Sequence, residues 1–292
     1  MSEPGRRSHR PVRYVGPIPP LSDREFELYE SFIYNLTGIH LGHSRRALVM
    51  GRLARRIRGL QLSSFGAYFD RVSSGDDAEL TAMLDCLLTN KTEFFREKRH
   101  FDFLEKRVFP EWLRDAEERK RQRRIRVWSA ACSTGEEPYS LAMVLLAHFP
   151  PTRGWSIEIL ASDLSSRAIE RAANAMWPLE ESSNIPLPYL KQFMLKGKGQ
   201  SRGYMKADRQ LRSIVSCTRL NLNDSDYGDI GSFDLIFCRN VLLYFDAASR
   251  RQVITRLLKH LVSRGYLFLG HAEMLDDSFE RMRRVTPSVY TF

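Results

Sequence analysis

Residues Trp128–Met143, WSAACSTGEEPYSLAM, set a short polar turn between an apolar run that reads as a buried strand and a second that reads as a helix. A strand–turn–helix of this kind is a frame for nucleotide binding, because the first N–H groups of the helix point at the ligand. Phosphate-binding turns carry several glycines so that the backbone can come close. This turn has one glycine, Gly135, followed by Glu136 and Glu137. Paired carboxylates repel phosphate and attract a cation. A further acid, Asp163, closes the next apolar run, SIEILASD, where a carboxylate typically bonds ribose hydroxyls. A third polar set, Cys238-Arg239-Asn240, closes FDLIFCRN. Ligands of open α/β sheets bind beyond the carboxyl ends of the strands, and all three sets fall there. A nucleoside with a sulfonium and an ammonium, S-adenosylmethionine, fits that charge pattern. Ser133 and Glu136 also have capping-box spacing, and acids in a first helical turn suit the helix dipole, so the turn alone leaves both readings open.

The elements that must hold these residues alternate. RIRVWSAAC, SIEILASD, FDLIFCRNVLLYF and GYLFLGHAE read as strands, and EEPYSLAMVLLAHF, SSRAIERAANAM and ASRRQVITRLLKHLV as helices. RMRRVTPSVYTF reads as a closing strand pair. The expected fold class is α/β, a doubly wound, mostly parallel sheet with helices on both faces. Alternation breaks at about residues 178–214, which are expected to form a small inserted β-subdomain with a loop at Gly197, Gly199 and Gly203. Residues 21–88 show only helical patterning, opening on a capping box of Ser22 and Glu25, and are expected to be an all-helical domain. Residues 89–292 then form the α/β domain, and the Pro-, Gly- and Arg-rich residues 1–20 a disordered basic tail.

The chain has 292 residues, a soft prior for two domains, and its 43% hydrophobic content supports an ordinary core. No apolar run approaches the roughly 18 residues of a membrane span. The N-terminus has no apolar signal core. Cys86, Cys132, Cys217 and Cys238 are widely separated, as in a reducing cytosol, so a cytoplasmic location is expected. The net charge of +10 attracts nucleic acid, acidic membranes or acidic protein surfaces without choosing among them. Within SRRALVMGRLARRIRGL, Val49, Leu53, Ile57 and Leu60 share one helical face, flanked by Arg45, Arg52, Arg55 and Arg56. Like charges at these spacings destabilise a helix, so a negatively charged partner is expected there. Arg119–Arg126, RKRQRRIR, reads as a solvated linker. His40 and His43 lack a cysteine or acid cluster to complete a site, and no metal is expected.

Six blocks carry a family resemblance: TNKTEFFRE from Thr89, WSAACSTGEEPYSLA from Trp128, ASDLSSRAIERA from Ala161, LNLND from Leu220, FDLIFCRNVLLYFD from Phe233 and LFLGHAE from Leu267. In order and spacing they resemble the chemotaxis-receptor glutamate O-methyltransferases of the CheR type. The resemblance implies a class I S-adenosylmethionine-dependent methyltransferase domain, an N-terminal helical domain that recognises substrate, and an inserted β-subdomain. It implies methyl transfer from S-adenosylmethionine, with S-adenosylhomocysteine as product, to glutamates on the cytoplasmic helical bundle of chemoreceptors. It carries cofactor contacts onto Asn90, Thr92, Arg96, Glu137, Asp163, Asn221, Leu222, Arg239 and Asn240, and places Arg96 and Tyr244 nearest the chemistry. It points to the arginine-bearing helical domain for receptor recognition. Gly197, Gly199 and Gly203 resemble the glycine motif of the subdomain that docks a receptor C-terminal tether by strand addition. Recruitment to membrane-bound receptor arrays would follow.

The chemistry is consistent. A glutamate carboxylate, with a pKa of about 4.3, is already ionised and nucleophilic at neutral pH and needs no general base. The protein must orient it and exclude water. A tyrosine hydroxyl, that of Tyr244, can hold one carboxylate oxygen while the other attacks. Two other functions compete. A nucleic-acid methyltransferase would suit the charge, but CRNVLLYF lacks the Asp/Asn-Pro-Pro-aromatic motif of amino-methylating DNA enzymes. A catalytically silent docking protein would not be expected to keep TNKTEFFRE, GEEP and CRNVLLYF together.

Overall fold

The structure, a computed structural model, describes residues 16–292. The expected disordered tail falls mostly outside them; residues 16–20 form neither helix nor strand. The described residues divide into two compact units, those up to residue 33 with 41–87 and residues 34–40 with 88–292.

The first unit is helical, as expected, and comprises most of α1 (Asp23–Thr37), α2 (Arg46–Gly59), α3 (Phe65–Ser73) and α4 (Asp77–Leu87). The Ser22–Glu25 capping box forms: Glu25 N–H donates to Ser22 Oγ at 3.2 Å and Ser22 N–H to Glu25 Oε2 at 2.9 Å. Val49, Leu53 and Ile57 of α2 are buried, while Leu60, past the helix end, is half-buried. The like-charge argument for the α2 arginines is corrected here. Arg56 is bound to the buried Glu79, Nη2 to Oε2 at 2.6 Å, and Tyr68 donates to the same carboxylate at 2.6 Å. Arg52 Nη1 donates to the Leu87 carbonyl at 2.8 Å, capping the carbonyl end of α4. Two of the four charges are thus met inside the unit, and Arg55 is the one that is fully exposed.

The second unit runs α5 (Lys98–Phe103), a π-helical stretch Leu104–Val108, α6 (Phe109–Glu117), β1 (Arg124–Ala130), α7 (Glu136–His148), β2 (Ser156–Asp163), α8 (Ser166–Asn174), β3 (Met176–Pro178), α9 (Leu187–Phe193), β4 (Met194–Lys196), β5 (Tyr204–Ala207), α10 (Arg209–Ile214), β6 (Val215–Arg219), β7 (Phe233–Cys238), α11 (Ala247–Lys259), β8 (Leu261–Leu269), β9 (Arg283–Thr286) and β10 (Val289–Thr291). Seven strands form one sheet in the order β6-β2-β1-β7-β8-β10-β9. The first five in that order are parallel, and the closing β9–β10 hairpin adds antiparallel. Strand residues alternate between two cores. Val127, Leu235 and Phe237 pack with α7 on one face, and Trp128, Ile236 and Cys238 with Val253, Ile254 and Leu257 of α11 on the other. Each such side chain contributes about 1.5–3 kcal/mol by burial. The chain winds outward from β1 through β2 to β6, then returns to β7, so the switch point lies between β1 and β7.

The insertion is a separate sheet in the order β3-β5-β4, all antiparallel. It spans Met176–Ala207 rather than 178–214, because α10 packs on α7 and β6 and belongs to the main layer. Gly197 has no room for a side chain, since a Cβ would lie 2.0 Å from the Ser201 carbonyl oxygen.

Arg119–Arg126 is not a solvated linker. Arg121 lies over Trp112 at 4.1 Å and pairs with Asp234 at 2.7 Å, and Arg126 pairs with Glu158 at 3.0 Å.

Residues 34–40, though they precede the helical unit's other helices in sequence, form a strap on the sheet unit. Tyr34 Oη donates to Asp246 Oδ2 at 2.5 Å, Asn221 Nδ2 to the Leu36 carbonyl at 2.7 Å, and His40 N–H to the Tyr244 carbonyl at 2.9 Å. Gly38, at φ +70°, sits so close to Asn223 and Phe245 that a Cβ would meet them at 2.8 and 2.9 Å.

Candidate active site

The sequence places chemistry at the carboxyl ends of β1, β2 and β7, and the fold brings these ends side by side. The β1 turn is tight: Ala131 and Ser133 take positive φ, and Gly135 reaches φ +102° at the N-cap of α7. The capping box of Ser133 and Glu136 does not form, because Gly135, not Ser133, occupies the cap. Instead Ser133 N–H donates to Asp163 Oδ2 at 2.9 Å, and Asp163 Oδ1 accepts from Ser165 N–H at 2.9 Å. The Ser133 hydroxyl is buried without a hydrogen-bond partner. An orphaned hydroxyl beside a carboxylate at the end of β2 fits the polar edge of a ribose, as expected of a nucleoside site.

Glu136 and Glu137, adjacent in sequence, have different partners. Glu136 accepts from Thr134 Oγ1 at 2.7 and 2.9 Å, and burial raises its pKa to about 7. Glu137 accepts from Ser129 Oγ at 2.7 Å and from Arg239 Nη1 at 3.0 Å. Burial pushes Glu137 upward against the pull of Arg239.

Arg239 is buried at the end of β7 between two carboxylates. Opposite Glu137 it meets Glu97, Nη2 to Oε2 at 2.9 Å, and it also donates to the Arg96 carbonyl at 2.6 Å. Asn240, at φ +58°, gives its amide to Glu97 Oε1 at 3.2 Å, and its N–H to Glu273 Oε2 at 2.8 Å. Glu273 also accepts from Gly270 N–H at 2.6 Å, which ties the ends of β7 and β8 together. Burial works against ionisation of Glu97, but Arg239, His271 N–H and Asn240 hold its pKa below the ordinary carboxylate range. Glu97, His100 and His271 bring potential metal-ligand atoms within 4.8 Å of one another. The guanidinium on the same Glu97 oxygen already supplies the positive charge there.

Glu137, Arg239, Asn240 and the Arg96 carbonyl are therefore joined in one network, while the Arg96 guanidinium donates to the Lys91 carbonyl at 3.2 Å, and Asp163 joins the Ser133 turn. Asn221 and Leu222 follow β6, whose end is fixed by Leu220 N–H bonding the Asp163 carbonyl at 3.0 Å. The Asn221 amide is engaged by the strap, and Leu222 is buried. Tyr244, half-buried, sits in a 3-10 turn after β7. Asn90 and Thr92 lie in the extended segment before α5, half-buried, with no side-chain bond to the network. Sequence reasoning did not assign Ser129, Glu97 or Glu273. The last two stand inside the TEFFRE and GHAE blocks, and an acid directly after the FFR arginine or a strand end was the available signal.

The comparisons with known proteins agree with this geometry. Residues 90–291 match the CheR methyltransferase, SAM binding domain, and residues 24–88 the CheR methyltransferase, all-alpha domain. The chain belongs to the CheR methyltransferase family. It is 36% identical over 272 residues to chemotaxis protein methyltransferase 2 of Pseudomonas aeruginosa, covering 91% of this chain and 92% of that one. It is 37% identical over 255 residues to the chemotaxis protein methyltransferase of Escherichia coli, covering 87% and 85%. The Salmonella typhimurium chemotaxis protein methyltransferase is 36% identical over 255 residues, with 87% and 84% covered. The doubly wound sheet is accordingly that of a class I S-adenosylmethionine-dependent methyltransferase, with an all-helical N-terminal domain.

Proposed function

We propose that this CheR-family enzyme methylates glutamate side-chain carboxylates of chemoreceptors, forming glutamyl methyl esters that adjust sensory signalling. The observation that carries the reading is the convergence of the Ser133 turn, Asp163 and the Arg239–Asn240 pair at the switch point of the sheet, with the Tyr244 loop beside them. When bound, S-adenosylmethionine supplies an electrophilic methyl group on a sulfonium. Asp163 and Ser133 would hold its ribose, and Glu137 its ammonium. Asn90, Thr92, Arg96, Asn221, Leu222, Arg239 and Asn240 complete the expected contacts.

The nucleophile is the substrate's own carboxylate, so no residue here has to remove a proton. Tyr244 donates its hydroxyl to one carboxylate oxygen and leaves the other to attack. The strap helps fix this residue through the His40 N–H bond to the Tyr244 carbonyl. Arg96 steers the acid toward the site. Opposite charges cancel as the methyl group moves, so the protein gains by positioning rather than by strong ion pairing with the ground state.

Receptor recognition is assigned to the helical unit, with Arg55 exposed on α2 and Arg45 half-buried at its N-cap. Arg52 and Arg56, bound internally, shape that face rather than lead it. In the inserted sheet β4 is an outer strand with Leu195 exposed, and the Gly197–Gly203 loop beside it suits addition of a strand from a receptor tether. Arg121 and Arg126 of the RKRQRRIR run are engaged by Trp112, Asp234 and Glu158, which weakens the case for nucleic acid. No helix among the described residues is long and apolar enough to cross a membrane.

The test is transfer of radiolabelled methyl from S-adenosylmethionine to membranes bearing the host's chemoreceptors, followed by mild base. Label released as methanol is the expected result. Cofactor binding without any base-labile label on receptor would overturn the substrate assignment.

A further inference from the structure

Glu97 is the residue on which the most strands of this site depend. Its carboxylate receives Arg239 Nε at 3.2 Å and Nη2 at 2.9 Å, Asn240 Nδ2 at 3.2 Å and His271 N–H at 3.2 Å. His100, almost fully buried, places Nδ1 3.4 Å from the same carboxylate. These partners come from α5 and from the ends of β7 and β8, and Glu97 joins them from a left-handed backbone, φ 60° and ψ 61°. Such a backbone is unfavourable for a side chain of this size and persists where surrounding bonds fix it.

Arg239 is the buried cation at the centre, with its side chain 2% exposed, and it has two carboxylates available. Glu97 and Glu137 are not equivalent. Glu97 accepts from three separate groups, Arg239, Asn240 and His271 N–H, a setting that favours the charged form, while burial and Arg239 keep the neighbouring His100 neutral. Glu137 has one hydroxyl and one guanidinium nitrogen, and its side chain is 12% exposed. We propose that Glu97 is a positioning residue for cofactor binding: it is the principal counter-ion of Arg239, and by taking two of that guanidinium's nitrogens it leaves Glu137 with a single one and with acceptor capacity for the cofactor. The proposal rests on the reading of Glu137 as a cofactor contact. Without the Glu97 charge, Arg239 has Glu137 as its one remaining carboxylate, and a carboxylate committed to a buried guanidinium is a poor acceptor for a ligand ammonium.

A double-mutant cycle on the full chain tests this. Wild type, Glu97→Gln, Glu137→Gln and the double variant are titrated calorimetrically with S-adenosylhomocysteine, and turnover is measured at saturating donor. Glu97→Gln is expected to raise Kd about tenfold with kcat changed less than about threefold, whereas in the Glu137→Gln background it adds less than about twofold. A purely structural role would multiply through both backgrounds, and that result overturns the proposal, as does a Glu97→Gln Kd within about twofold of wild type. If Glu137→Gln alone leaves Kd unchanged, the cofactor reading of Glu137 fails instead, and the proposal with it. Should Glu97→Gln not fold, Glu97→Asn, which also removes the charge and tolerates the left-handed backbone, is read in the same cycle with the same criteria.

Discussion

Replacing Gly135 with alanine tests the site at its tightest point. Gly135 lies at φ +102° and ψ −4°, a conformation that costs an L-residue about 1–2 kcal/mol. Its Cβ would stand 2.9 Å from both Cα and Cβ of Ala172 and 3.3 Å from Trp177 Cζ2. Two of those atoms are helix backbone and a short side chain of α8, which cannot swing aside, so overpacking adds about 1–3 kcal/mol. Together the substitution costs about 2–5 kcal/mol. For a unit of this size each kcal/mol lowers the melting temperature by about 2–4 °C, so a fall of about 4–20 °C is expected in scanning calorimetry. The same displacement shifts Ser133 off Asp163 and turns the first residues of α7. S-adenosylhomocysteine affinity should therefore fall at least about tenfold in parallel. A Gly135→Ala protein that melts within about 2 °C of wild type and binds with unchanged affinity would refute the reasoning. The turn would then have slack that neither the φ value nor the Ala172 contact allows.

Tyr244→Phe should lower kcat by about tenfold to a hundredfold with cofactor Kd within about twofold, read by steady-state kinetics beside calorimetry; full activity would end the orienting role. Arg56→Ala, which strips the partner from the buried Glu79, should destabilise the helical unit by about 1–3 kcal/mol in urea unfolding, while Arg55→Ala leaves stability unchanged and weakens receptor binding. Equal stability of the two variants would contradict the distinction. Glu136 has a folded pKa of about 7 against an ordinary 4.5. A raised carboxyl pKa stabilises the fold fully below about pH 4.5 and loses that contribution as pH rises through 7. Glu136→Gln, which stays uncharged, should therefore melt higher than wild type at pH 8 and converge with it near pH 5; parallel melting curves across that range would count against the shift.

The parts of this molecule that were legible in its sequence are those with a repeating pattern. Strand and helix alternation from Arg124 onward appears in the fold because buried parallel strands such as DLIFC and amphipathic helices such as α11 leave periodic marks. The closing hairpin and the Ser22 capping box follow from local chemistry alone. What was misjudged depends on partners far apart in sequence. Arg56 with Glu79 and Arg121 with Asp234 are long-range pairs, and a run of like charge gives no hint of the acid that will neutralise it. The Ser133 capping box was a fair local reading that lost to Gly135, whose left-handed backbone let the turn give Ser133 N–H to Asp163 instead. That the ends of β1, β2 and β7 would lie side by side was legible because strand and helix alternation places the carboxyl ends of parallel strands on one edge of the sheet. Glu97 was quoted within its block but left without a role, since its importance appears only when Arg239, Asn240 and His271 arrive from two other strand ends.

The strap of residues 34–40 means that these two units cannot be exchanged as consecutive cassettes. The family's two domains divide the sequence near residue 89, but the bonds to Asn221, Tyr244 and Asp246 come from residues upstream of α2. A fragment cut at that boundary would retain the groups assigned to methyl transfer and lose the chain that braces their loops. A chimera that borrows another receptor specificity would need to leave Tyr34–His40 with its own catalytic half and splice the foreign helices on either side. The two units are thereby threaded through one another in sequence, so that the segment leading from α1 to α2 also bears on the loop that carries Tyr244.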